Sequence, residues 1–125
     1  MLRFLIVGSG GALGAMLRYG INLILMRYYP SNWPLGTFVI NVSGCFLMGL
    51  LLTGMMEYHF LPEWCILFLC IGFLGGYTAL SGLDYEVLHL LEMGDIGLGL
   101  WHCFGTLGLS MAACFAGILA ARAIL

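Results

Sequence analysis

Three short stretches, marked by proline or by polar residues, cut this chain into four apolar runs, and those runs nearly exhaust its 125 residues. They are Tyr28–Trp33 with Pro30 and Pro34 as punctuation, Glu57 to Glu63, and Glu92 to Asp95. An α-helix needs roughly 20 apolar residues to cross a bilayer, so there is room for four crossings and for no soluble domain. Hydrophobic residues make up 62% of the chain and charged ones only 8%, where a soluble domain carries about 25%. The expected fold is therefore an all-α integral membrane protein, a single four-span domain embedded in the lipid bilayer. The spans are expected at roughly 3–27, 35–56, 64–91 and 97–121. Lysine is absent and no basic tract exists, which argues against a nucleic-acid partner.

The first run has Arg3, a short apolar stretch and small residues from Gly8 to Ala15, a pattern that can imitate a secretory signal. Its helical pattern continues past Arg18 to about Met26, so it reads as a first span. Tyr28, Tyr29, Trp33, Tyr58 and Trp64 stand near span ends, as an interfacial aromatic belt would. The five cysteines lie in or beside apolar runs without a CxxC pair, and read as small buried hydrophobes.

Within the third run, residues 72–82 carry Gly72, Gly75, Gly76 and Gly82 with Thr78 and Ser81. Irregular backbone at membrane depth is tolerated only inside protein or beside water. Transport proteins build ion sites at such interruptions. The third helix is expected to break there, at the midplane.

The arginines set no strong orientation. Arg3 and Arg122 fall on one side, and Arg27, with Arg18 if it nears that interface, on the other. Orientation follows Lys/Arg excess in cytoplasmic loops, and here the excess is nearly nil. Insertion both ways, giving an antiparallel dimer, stands beside a single orientation set by a small bias. Gly10 and Gly14 form a GxxxG step suited to close helix packing.

Each polar group inside a span should face protein or water. Arg18 reads either as snorkelling to the headgroups or as a positive charge in an anion vestibule, within reach of Asp84 or Glu86. Thr37, Asn41, Cys45, Gly49 and Thr53 recur every four residues and form one stripe on the second helix. Asn41 offers two N–H donors. His102, Thr106 and Ser110 repeat likewise on the fourth. Both stripes read as a lined path or as helix–helix and helix–backbone hydrogen bonding. No hydrolase triad, HExxH, Walker or dinucleotide motif is present, so no enzymatic activity is expected.

The ordered motifs resemble those of the Fluc (CrcB) family of fluoride channels. Gly10-Gly11-Ala12-Leu13-Gly14-Ala15-Met16-Leu17-Arg18-Tyr19 is similar to its GGxxGAxxRY. Gly36-Thr37-Phe38-Val39-Ile40-Asn41, with Gly44, Phe46 and Gly49, is similar to GTLxVNxxGxFxxG. Gly72-Phe73-Leu74-Gly75-Gly76-Tyr77-Thr78, then Ser81 and Glu86, follow GFxGGxTTFSTFSxE. The resemblance spans essentially the whole chain. It implies a passive fluoride channel of the inner (plasma) membrane, built as an antiparallel dual-topology dimer with two pores. It implies a sodium ion (Na+) held by backbone carbonyls of Gly75 and Thr78. It implies a fluoride path along Asn41, the Ser81 region with Thr78, and His102 with Thr106.

The chain departs from the family pattern where two phenylalanines are expected: Leu80 and Leu83 stand there, and Ala79 and Gly82 replace hydroxyl residues. An aromatic ring has a positive edge that an anion can approach, and leucine has none. This leaves a homodimer with an altered filter, or a heterodimer whose paralogous four-span subunit supplies the rings. A non-conducting partner subunit is a third reading. A small dual-topology multidrug exporter is the runner-up from another class. It would need an acid in the first span, where this chain has Arg18 and neither Asp nor Glu.

Overall fold

The structure is a computed structural model that describes residues 1–30, 34–59, 61–78 and 80–124. Trp33 of the expected aromatic belt and Ala79 of the third-span motif lie outside the described residues. Four helical spans long and apolar enough to cross a membrane run over Leu2–Tyr28, Leu35–Tyr58, Glu63–Glu92 and Ile96–Ile124. The second span begins at residue 35 as expected, and the other ends extend the expected ones by one to three residues. His59 closes the second helix in the left-handed conformation (φ 50°). Gly94, at φ +91°, makes the turn into the fourth span, where an L side chain would be strained.

The spans pack as two glycine-fitted pairs. Along the seam between the first helix and the start of the third span, Cβ atoms on Gly10 and Gly14 would collide with the carbonyl oxygens of Phe68 and Phe73. From the other side, a Cβ on Gly76 would lie 2.5 Å from the Gly11 carbonyl, and one on Gly72 2.7 Å from that of Val7. The expected GxxxG step is thus half of a reciprocal fit. The second and fourth helices repeat the device: a Cβ on Gly49 would strike the Cys114 carbonyl and one on Gly117 the Phe46 carbonyl. Lipid tails are as apolar as leucine, so such close approach, rather than a hydrophobic force, holds helices together in a bilayer.

Buried Ile40, Leu74 and Tyr77 join the two pairs, with Ile21, Met48, Leu51 and Phe73 packed around them. The Tyr77 hydroxyl meets Ser43 Oγ at 3.0 Å, which gives a deeply placed phenol the partner it needs. Ion pairs tie the termini to the second-to-third turn. Arg122 makes three contacts of 2.8–3.2 Å with the Glu57 carboxylate, and Arg3 lies 3.3 Å from Glu63.

The third and fourth spans are not uniform α-helices. Ile66–Leu74 and Trp101–Gly105 are wound as wider π turns. Such turns shift the register of a helix face and recur at functional sites. Helical structure stops at Tyr77, Thr78 is extended (φ −84°, ψ 154°), and a new helix begins at Leu80. The Thr78 amide and hydroxyl both donate to the Leu74 carbonyl at 3.0 Å, which ties off that end.

Candidate anion cavity

Beside Thr78 of the third span, the second and fourth helices face each other across a cavity of about 200 Å³. Asn41 and Cys45 line it from the second helix, Thr106, Leu107 and Ser110 from the fourth, and Thr78, Leu80 and Leu83 from the third span. A water molecule takes up about 30 Å³, so the space admits several waters or a small ion. The two four-residue stripes converge here for a simple reason. Residues four apart share a helix face, and the Gly49 and Gly117 contacts turn those faces together.

The polar wall is deeply buried. Asn41 and Ser110 are each 8% exposed, Thr106 1% and His102 0%. Ser110 Oγ is buried on the cavity wall, with the Cys45 thiol as its side-chain neighbour. His102 sits one turn above Thr106, with Nδ1 3.4 Å from the Thr106 hydroxyl. Its other ring nitrogen, Nε2, lies 3.3 Å from Glu86 Oε1. Glu86 in turn borders a second recess of about 480 Å³, between the end of the first helix and the start of the second.

The structure gathers most of the sequence-derived candidates and separates others. Asn41, Thr78, Leu80, Leu83 and Thr106 share the one cavity, with His102 directly behind Thr106. Leu83 is buried, whereas Leu80 is 63% exposed on the single chain although it reaches the cavity rim. Ser81 is exposed and off the cavity, because one residue along a helix turns a side chain by about 100°. Gly75 is likewise exposed on the single chain. Arg18 makes no ion pair with an acid among the described residues: Asp84 is exposed and Glu86 turns to His102 instead. Two contributors read more blandly in the sequence than in the structure. Cys45, a small hydrophobe by its surroundings, lines the cavity, and Glu86 contacts His102. The four-residue stripe already held the first. The second is a contact between spans that no local pattern announces.

A protein-family model described as "CrcB-like protein, Camphor Resistance (CrcB)" matches residues 5–118. The chain belongs to the CrcB family. It is 41% identical over 117 residues to a fluoride-specific ion channel FluC of Thermus thermophilus, covering 94% of this chain and 93% of that one. It is 40% identical over 124 residues to the fluoride-specific ion channel FluC of Rhizobium meliloti, covering 99% of each. The FluC of Phenylobacterium zucineum is 39% identical over 126 residues, 99% of this chain and 98% of that one. CrcB membership accounts for the full-length match of all four spans.

Proposed function

We infer that this chain is a subunit of a fluoride-selective channel, a multi-pass protein of the plasma membrane that lets fluoride leave the cell down its gradient. The observation that carries the reading is the set of buried polar residues gathered around one cavity, Ser110 beside Asn41 and Thr106. A small, strongly hydrated anion is dehydrated only if closely placed donors replace its water. An amide and hydroxyls do this without a fixed positive charge that would trap the ion. Family membership and near-full-length relatives named as fluoride channels support the same reading.

The working unit is an antiparallel pair of four-span chains, with the third helix interrupted at the bilayer midplane. Three features support this: near-balanced arginines, extended backbone at Thr78, and the exposure of Gly75 and Leu80 on the single chain. The backbone carbonyls of Gly75 and Thr78 fit a hard cation such as Na+, which takes oxygen ligands. Gly75 brings no side chain to block approach, and a second copy would complete the shell. Bound there, the ion would cross-link the two interruptions and neutralise carbonyl dipoles beside the anion path. Ser81, off the cavity of one chain, would join the path from the partner's side. Arg18 serves as a vestibule charge.

Leu80 and Leu83 on the cavity wall favour one further arrangement, in which a paralogous subunit supplies aromatic rings that this chain lacks. Purified protein in liposomes, alone and with such a paralogue, tests both. Fluoride efflux from the chain alone supports the homodimer, efflux only from the mixture the heterodimer, and none from either rejects the channel.

A further inference from the structure

We propose that Glu86 and His102 are a proton-sensitive positioning pair that sets whether the Thr106 hydroxyl offers the cavity a lone pair or a hydrogen. The inference rests on the channel reading and concerns how its donor wall is switched. An ionised carboxylate can only accept hydrogen bonds, so with Glu86 charged the His102 nitrogen facing it, Nε2, carries the hydrogen. In the neutral ring the other nitrogen, Nδ1, is then an acceptor. It takes the hydrogen of Thr106, 3.4 Å away. With its hydrogen held by Nδ1, the Thr106 hydroxyl has none to offer an anion in the cavity that Thr106 lines.

One proton added to the pair reverses this. On the ring it makes an imidazolium, both of whose nitrogens donate. On the carboxyl it makes an acid that donates to Nε2 and leaves the hydrogen on Nδ1. In either case Nδ1–H donates to Thr106 Oγ1, and the Thr106 hydrogen is released toward Asn41 and Ser110. The proton has a route that avoids the anion. The Glu86 side chain is 31% exposed and borders the outer recess, while His102 is 0% exposed. Two other titratable groups stand on the Glu86 helix close by. Asp84, two residues before Glu86, is exposed. His89 is exposed and stacks on Tyr85 with ring centroids 6.1 Å apart. The second helix bears no charge before Glu57, and the flanking residues on the fourth span are Trp101, Cys103 and Phe104. Linkage is reciprocal, so anion binding in turn draws a proton onto the pair.

The test is fluoride efflux from proteoliposomes at equal pH on both sides, from about pH 8 to about pH 5.5, the range in which histidine pairs change charge. Wild-type efflux should rise about fivefold or more as pH falls, a modest share of what one hydrogen bond to a charged group commands. Thr106→Ser keeps the hydroxyl and should keep the rise. Thr106→Val, nearly equal in shape, and His102→Gln should flatten it. Imidazole nitrogen NMR of the wild-type protein, with His59→Gln and His89→Gln to assign signals, gives an independent reading. Added fluoride should change the His102 nitrogen signals. Robust efflux that is flat with pH, a rise that survives in Thr106→Val, or a His102 signal indifferent to fluoride would overturn the proposal. Absence of efflux at every pH would instead overturn the channel reading.

Discussion

The seam between the first helix and the third span, and the cavity between the second and fourth helices, use similar residues to opposite ends. At the seam, glycines bring backbone onto backbone: Gly10 and Gly14 leave no space for even a methyl group. At the cavity, Gly49 and Gly117 bring two helices equally close. Their four-residue stripes then hold polar side chains apart around an open space. One contact is closed and sets the scaffold. The other is held open. Small residues in a membrane helix therefore signal close approach, and the polar residues in register with them decide whether that approach seals or lines a path.

The largest effect should come from filling the closed seam. Gly14→Val puts carbons into the Phe73 carbonyl, and overpacking of this kind costs about 1–3 kcal/mol, or more when backbone must move. Loss of the monodisperse peak in detergent is expected, whereas Gly108→Ala, where no atom lies within 4 Å, should leave it intact. If Gly14→Val is as well behaved as Gly108→Ala, the seam is not the scaffold described. Next, Asn41→Ala should fold normally yet lose about ten- to a hundredfold of fluoride flux, the loss of one hydrogen bond to a charged group at about 1.5–3 kcal/mol. Seam and cavity differ in just this way: one substitution removes the protein, the other only its conduction.

The fold was largely legible in the sequence because bilayer thickness turns apolar run length into a count of spans, and glycine spacing marks where helices touch. The site was legible only in part. Asn41, Thr106 and Ser110 announce themselves by the four-residue register of their stripes. The Glu86–His102 contact joins positions sixteen residues apart across the turn at Gly94. No local pattern carries such information. Ser81 shows the reverse limit: its place in the motif suggests the path, yet on a single chain it faces outward.

A smaller effect should follow from restoring aromatic rings. Leu80→Phe, at an exposed position on the cavity rim, should raise flux by about two- to fivefold if a ring edge aids the anion there. Leu83→Phe should gain less, since Leu83 is only 3% exposed and the added carbons must be accommodated. No change in either would place the limiting step away from these leucines. The smallest effect is expected at the far end of the molecule. Arg122→Gln breaks the exposed contacts to Glu57, and exposed pairs add little, so flux should stay the same in the same liposome assay.

The central claim, that this cavity is a path for fluoride, is tested most directly by efflux from liposomes of purified protein, followed with fluoride and chloride electrodes. Fluoride release far faster than chloride release is the expected result, lost in Asn41→Ala while the protein stays folded. Equal release of the two ions, or no fluoride release either alone or with a paralogous partner, would contradict it.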